Sequence, residues 1–321
     1  MTVTANEDAQ HGHGHAGYRH EAVFYSGTDG FLAAMVPFLQ GAIDSREASL
    51  VVLAAEKNRM LENELAGDTG VIRFMDMALV GLNPARIIPA WRQFVVDHAG
   101  HGRLRGIGEP IWPERTPDEM IECQHHESLL NVAIPDAAPL WLACPYDTTR
   151  LPDDVLEEAR RSHPYLSEEG RNWQSDSYLH PSSRPGPFSG ELAPPATAPD
   201  ELSFGVNQLG ELRRFISGRA AALGLEGSRL DDLILAASEL AANSVRHGGG
   251  EGMARIWPEG GKVLCEIHDS GEIHAPLAGR ENPGMAQPSG RGLWLVNHLC
   301  DLVQIRSGPG ATVTRLHISL A

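Results

Sequence analysis

Three short segments in the second half of this 321-residue chain carry side chains suited to chemistry. In the first, Glu239 and Asn243 stand four residues apart within Glu239-Leu240-Ala241-Ala242-Asn243. On a helix that spacing puts a carboxylate and an amide on one face, where they can serve as a general base and a Mg²⁺ ligand. In the second, an alternating run over 262–268 leads into Asp269-Ser270-Gly271. A carboxylate at a strand end followed by glycine can accept a hydrogen bond from an adenine amino group while the backbone passes close by. In the third, Gly290 and Gly292 precede the amphipathic positions Leu293, Val296 and Leu299. Free backbone N–H groups at a glycine-rich helix start make a phosphate site. Each segment alone also has a plain reading: a surface Glu/Asn pair, a strand-to-turn exit, or a loop that only caps a helix.

The elements that must hold these residues follow from periodicity. Ser228 and Asp231 form a capping-box-like start, and Leu230, Leu233, Ile234, Ala237, Leu240 and Ala241 make an apolar stripe. That predicts a helix over 229–247, preceded by another over 207–223, with Gly224 and Gly227 between them. Strands are expected at 252–258 and 262–268, then an irregular Gly/Pro segment and a helix from Gly292. Two strands, 302–307 and 312–320, close the chain. Helices and strands are grouped rather than alternating, so residues 201–321 read as an α+β sandwich.

Taken in order, ELAANSVRH, DSG, GRGLWLV and a last strand opening at Thr312 resemble the ATPase module shared by gyrase-type ATPases and histidine kinases, the Bergerat fold. The short entry and the lack of extra boxes are most similar to its anti-sigma serine-kinase branch, the RsbW-like proteins. The resemblance implies ATP and Mg²⁺ as cofactors, Glu239 as catalytic base, Asn243 as Mg²⁺ ligand and Asp269 as adenine contact. It also implies that Gly271 lines the adenine pocket, that Gly290 and Gly292 hold the phosphate lid, and that Thr312 sits near the adenine. In function it implies a serine/threonine protein kinase that sequesters a sigma factor and phosphorylates a STAS-type antagonist, as a homodimer. One motif departs from the pattern. Where the family usually has Asp-x-Gly-x-Gly, this chain has Asp269-Ser270-Gly271-Glu272-Ile273. Two readings therefore stand beside each other, a kinase and a docking module that retains the fold. A sensor histidine kinase is a third, and it requires a phosphoacceptor histidine on a long helix just before the module. Here that stretch is proline-rich, and His180 lies in a turn-like context.

The first half reads differently. Strands at 21–26, 49–55, 71–76, 103–108 and 139–144 alternate with helices at 29–42, 57–65, from Asn83-Pro84, 117–132 and 153–162. The alternation predicts an α/β domain over 20–165 with a mostly parallel sheet and helices on both faces. Ser49–Ala55 is a continuous apolar run, as a strand covered on both faces requires. The loop in FYSGTDGF lacks the lysine of a phosphate-binding loop and reads as a strand-to-helix turn. Glu127 and Asn131 share a helix face, and Cys144, Tyr146 and Asp147 sit where open parallel sheets bind ligands, so these five residues make a candidate sensory pocket. Cys123, His126 and Cys144 do not have the spacing of a known structural zinc site. The order of these segments resembles the DcmR-type sensory domain, MEDS, which implies a signal-sensing role at the head of a bacterial regulator. A non-sensing scaffold that only docks a partner is the alternative reading.

Between the halves, residues 166–200 are rich in Pro, Ser and Gly and read as an extended linker. Residues 1–19, with His11, His13 and His15 alternating, read as a solvated low-complexity tail. The bulk numbers fit two soluble domains in one chain: 42% hydrophobic and 21% charged residues, with no signal-like start and no run of roughly 18 apolar residues. Four dispersed cysteines point to a reducing cytoplasm rather than a disulfide framework. A net charge of −16 without a Lys/Arg cluster argues against direct nucleic-acid binding.

Overall fold

Leu50, Val51, Val52 and Leu53 are all buried, as expected of a strand with neighbours on both edges and cover on both faces. In the computed structural model, which describes residues 17–184, 186–283 and 290–320, this strand is one of twelve among the described residues. In chain order the elements are β1 (Arg19–Tyr25), α1 (Gly27–Ser45), β2 (Ala48–Leu53), α2 (Ala55–Glu64), β3 (Ile72–Asp76), α3 (Met77–Val80), α4 (Ile87–Asp97) and β4 (Leu104–Gly108). Then come α5 (Pro117–Ala133), β5 (Leu140–Asp147), α6 (Asp153–Ser162), β6 (Tyr165–Glu168), β7 (Arg171–Gln174) and β8 (Asp200–Gly205). The last are α7 (Leu209–Ala222), α8 (Gly227–His247), β9 (Glu251–Glu259), β10 (Lys262–Asp269), α9 (Arg291–Leu299), β11 (Leu302–Gly308) and β12 (Ala311–Ser319). The histidine-rich segment 11–15 lies outside the described residues. No helix among the described residues is long and apolar enough to cross a membrane.

The chain divides into two compact units. One holds the described residues up to Met77, with Phe94–Glu114 and Ile134–Leu179. Its sheet has the order β3-β2-β4-β5-β1-β6-β7. Every pairing is parallel except β6 with β7, as the alternation of strands and helices predicted. Phe31, Met35 and Leu39 of α1 pack on Val23, Val51, Leu53 and Ile107 of the sheet. The last hairpin lies within the stretch read as linker from 166 onward. Its turn is Glu169-Gly170, with φ of 48° and 75°, the paired positive values a tight two-residue hairpin needs. Arg171–Gln174 is exposed throughout, so this edge strand has none of the apolar alternation that would reveal it.

The other unit holds Ala78–Gln93, Arg115–Ala133 and the described residues from His180 onward. Its sheet, β11-β12-β10-β9-β8, is antiparallel throughout. Leu212, Ile216 and Ala220 of α7, Leu233, Ala237 and Leu240 of α8, and Val296 of α9 pack on Val263, Cys265, Ile267, Ile305 and Leu316 of the sheet. The result is the expected α+β sandwich, with one added strand. Where the sequence suggested that helices open this half, β8 comes first and pairs with β9. Only Phe204 of β8 is buried, so its pattern is too weak to announce a strand.

The opposite face of this sheet is polar, and α5 meets it. Arg306 donates to Glu122 at 2.9 Å, Lys262 to Glu119 at 3.2 Å and Gln304 to Asp118 at 3.4 Å. Burial by itself raises the Glu122 carboxyl, but His125, Arg306 and Arg280 outweigh it and hold the group below its usual range. Alongside, Glu266 takes Arg315 at 2.6 Å and His268 at 2.8 Å.

His317 sits in this layer, its Nε2 3.0 Å from Gln304 Oε1. Burial lowers its pKa to about 4, against about 6.5 for an unfolded histidine. Between those values the unfolded chain binds a proton that the folded chain does not, so stability falls as pH drops from about 6.5 towards 4, by up to about 3 kcal/mol. Urea-unfolding midpoints across that window should decline in the natural protein. The decline should be shallower in His317→Gln, and equal slopes would contradict the assignment.

Candidate functional site

Asp269 ends β10, and two neighbours fix its carboxylate. Oδ2 accepts from Ser244 Oγ at 2.6 Å, and Oδ1 accepts from Gly271 N at 2.8 Å. Ser244 is buried on the last turns of α8, so the carboxylate is held between helix and strand. This meeting depends on glycine. A Cβ on Gly248 would stand 2.4 Å from Asp269 Cγ, and one on Gly271 would stand 2.9 Å from the His247 carbonyl. Both are far inside contact distance, so the chain can pass here only without side chains.

Thr312 pairs with Asp269 in the β10–β12 register. A single chain of donors runs from Ile273 N to Ser307 Oγ at 2.8 Å, on to Thr312 Oγ1 at 2.7 Å, and from Thr312 to the Gly271 carbonyl at 2.8 Å. It ties the irregular segment after Asp269 to β11 and β12. Ile273 stands where the resembled motif has its second glycine, and its backbone N–H is one of these donors. Glu272 stands at the cavity lining beside Gly271, its Oε1 3.7 Å from His274 Nδ1.

Glu239 and Asn243 meet the start of α9. A Cβ on Gly292 would lie 3.1 Å from Glu239 Oε2 and 3.3 Å from Asn243 Nδ2, so both side chains press on the first turn of that helix. Gly290 caps α9 with φ of 91°, a value favourable only to glycine. Asn243, Asp269, Gly271, Gly290, Gly292 and Thr312 line one cavity of about 300 Å³, at the lower end of the range for small-molecule sites. Glu239 stands beside it, behind Gly292. The structure thus gathers all seven residues singled out in this half. Ser244, Gly248 and Ser307 escaped the sequence reading, although the run Gly248-Gly249-Gly250 straight after α8 is a signal for the second. The glycine cradle and the fixed carboxylate suit a flat, polar-edged ring such as adenine. The half-buried amide and carboxylate beside a helix start suit a cation and phosphates.

The five residues of the candidate sensory pocket fall in different units. Glu127 is buried on α5, and Asn131 lies on the same helix with its amide 3.5 Å from the Ser128 carbonyl. Cys144 and Tyr146 are buried on β5. Asp147 ends that strand and accepts from Thr149 Oγ1 at 2.6 Å and Thr149 N at 3.0 Å. Cys123 and His126 are also buried on α5, and burial pushes the Cys123 thiol up to about 12.

A further cluster sits at the carboxyl ends of β1 and β4. Lys57 Nζ donates to both Glu109 oxygens at 2.5 and 2.7 Å and to Tyr25 Oη at 2.7 Å, while Tyr25 donates to Glu109 at 3.0 Å. Burial raises the Glu109 carboxyl and Lys57 only partly pulls it back. Sequence reasoning missed this trio. The available signal was position alone, since Glu109 is the first residue beyond β4.

Residues 19–164 match the MEDS model, the methanogen/methylotroph DcmR sensory domain, and residues 202–318 match the histidine kinase-like ATPase domain. Among solved structures, the chain is similar to the RsbU and RsbW domains of Rv1364c from Mycobacterium tuberculosis. That match has 20% identity and a TM-score of 0.29, over 38% of this chain and 32% of that one. It is also similar to the Acinetobacter baumannii histidine kinase AdeS, at 13% identity and a TM-score of 0.24, over 38% of this chain and 68% of that one. The chain therefore spans about a third of the mycobacterial structure. No curated protein matches it.

The close approach at Gly248 is directly testable. Gly248→Ala should lower stability by about 1–3 kcal/mol, as overpacking does, because the new methyl must displace the Asp269 carboxylate or the end of α8. Chemical denaturation would measure it, and an unchanged midpoint would mean that the approach relaxes at no cost.

Proposed function

We propose that this chain, which joins an N-terminal MEDS domain to a C-terminal histidine kinase-like ATPase domain, is a cytoplasmic bacterial regulator of the anti-sigma type. In this reading the ATPase half binds Mg-ATP and phosphorylates a serine or threonine of a STAS-type antagonist. It sequesters a sigma factor when the antagonist is spent, and the MEDS half controls that exchange. The observation that carries the reading is that Asp269 and Asn243 line one glycine-rich cavity at the start of α9, with Glu239 beside it against Gly292.

Each residue has a role that follows from its chemistry. The Asp269 carboxylate, held by Ser244 and Gly271, accepts from the amino edge of the base. Asn243 would offer its amide oxygen to the cation, and the N–H groups after Gly290 would hold the phosphates. Glu239 would act as the base that takes the proton of the partner's hydroxyl. When bound, Mg-ATP supplies the phosphoryl group and the cation that neutralises it. The RsbW-like branch is favoured over a sensor histidine kinase by the segment before β8. Among its described residues the only helical turn is the 3-10 turn Pro181–Ser183, with His180 as its cap, and a phosphoacceptor helix needs far more length.

A second reading has its own observation. The motif's second glycine is Ile273, and its N–H is tied to Ser307, which restrains the segment that must move when a phosphate lid closes. On that reading the fold docks a sigma factor without phosphoryl transfer.

Calorimetric titration with ATP, with and without Mg²⁺, separates the two. Binding near −8 kcal/mol, in the micromolar range, is expected only with magnesium, and Asn243→Ala should weaken that magnesium-dependent binding, an unchanged affinity rejecting its role. Glu239→Ala should keep affinity within about threefold while ADP formation with a phosphorylatable partner falls by about 10²–10⁴. Loss of binding and turnover together in Glu239→Ala would reject the base assignment. No ATP binding by the natural protein would reject the kinase and leave the docking module.

A further inference from the structure

His20 on β1, Cys144 on β5 and His163 just after α6 are each at most 1% exposed. Their placement follows from the parallel sheet. β1 and β5 are neighbours with Ala22 opposite Cys144, so His20, two residues earlier, projects on the same face as Cys144. The three come together in fact. His20 Nε2 is 3.4 Å from Cys144 Sγ, the His20 and His163 rings lie 4.0 Å apart at their centroids, and one donor atom from each residue falls within 4.8 Å of the others.

Two details of the geometry match what metal ligation by these residues requires. His163 Nδ1 is 2.8 Å from the Ala159 carbonyl. A carbonyl can only accept, so Nδ1 carries the hydrogen and, in the neutral ring, Nε2 presents its lone pair. That arrangement, a backbone carbonyl orienting the ring through its other nitrogen, is typical of metal-bound histidine. The second detail is the N···S separation. Tetrahedral zinc with bonds of about 2.3 Å to sulfur and about 2.05 Å to nitrogen places those two atoms about 3.6 Å apart, close to the value seen between His20 and Cys144.

We propose that His20, Cys144 and His163 are ligands of a zinc-class divalent cation in the MEDS half of the chain. One thiolate and two imidazoles select borderline-soft metals, and Mg²⁺ and Ca²⁺ prefer oxygen. On binding, the Cys144 thiol passes its proton to solvent and the thiolate neutralises half of the metal's charge. Three protein donors leave at least one corner of a tetrahedron to a further group. This inference is independent of the nucleotide reading of the C-terminal half.

To keep the tail histidines His11, His13 and His15 from contributing to metal retention, the test uses the full-length chain with those three changed to alanine. Dialysed protein should retain about one zinc per chain, and cobalt replacement should produce a thiolate-to-metal charge-transfer band in the near ultraviolet. His163→Gln should weaken zinc by more than about 100-fold, beyond the 10–100-fold that loss of an outer partner costs. Cys144→Ser should abolish the band at unchanged circular dichroism. If those variants do not fold, X-ray absorption of the zinc-loaded tail variant decides without them, and one sulfur with at least two imidazoles is expected. Absence of retained metal and of the cobalt band would overturn the proposal, leaving a hydrogen-bonded core trio. Bound metal with no sulfur neighbour would overturn it equally.

Discussion

The glycine-lined cavity of the C-terminal unit rests on one close approach, the end of α8 against the end of β10. Small residues make it possible. Ala236, Ala237 and Ala241 are fully buried along α8, so the helix axis lies near the sheet, and Gly248 lets the chain pass the Asp269 carboxylate without a side chain between them. Given that contact, the rest follows from helix geometry. Ser244 reaches Asp269, Asn243 faces the cavity, and Glu239 stands one turn back beside Gly292. A larger residue at any of the three alanines would lift the helix and separate the Asp269 carboxylate from Asn243, Glu239 and the start of α9.

α9 is under similar control from its other end. Gly292 opens the helix against Glu239 and Asn243, while Arg86 closes it by donating to the carbonyls of Asn297 at 2.9 Å, His298 at 2.8 Å and Cys300 at 3.0 Å. A cation on the last carbonyls is the favourable sign for a helix C-terminus. Asn83 adds its amide to the Asn297 carbonyl at 3.0 Å. Residues 78–93 and 115–133 lie within the span that matches the MEDS model, yet they pack in the same compact unit as residues 180–321. The matched family boundary and the boundary of packing are therefore different lines through this chain. Any change that withdraws Arg86 uncaps the helix whose first turn carries Gly292.

Much of this was legible in the sequence, and for physical reasons. The strands of the parallel sheet are buried on both faces, so Leu50–Leu53 is apolar at every position. α8 has one wet face and one dry, so the four-residue spacing alone puts Glu239 and Asn243 on one face. What stayed hidden had no such periodicity. β8 and β7 are edge strands with one or no buried side chains, and an edge strand held by backbone hydrogen bonds leaves little trace in side-chain pattern. Ser244 and Ser307 act through single hydroxyls whose partners are 25 and 34 residues away, and spacing along a chain cannot report that. The trio of His20, Cys144 and His163 is the extreme case. Its members are more than 100 residues apart at the widest, and only the order β5-β1-β6 brings them together.

The polar face of the antiparallel sheet shows why such a layer survives in a fold that could have used apolar residues. Glu266 satisfies Arg315 and His268, and Glu122 satisfies Arg306, so the layer is paired through its own ion pairs instead of being left as isolated charges. Replacing one partner would strand the other in a buried site, whereas replacing both by apolar residues would cost far less. The layer therefore does little for net stability and much for register. Arg315 on β12 meets Glu266 directly opposite on β10, and a slip of one residue would turn every charge on that face into the core. That same register sets Thr312 against Asp269, and so the polar layer on one face of the sheet fixes the geometry of the cavity on the other.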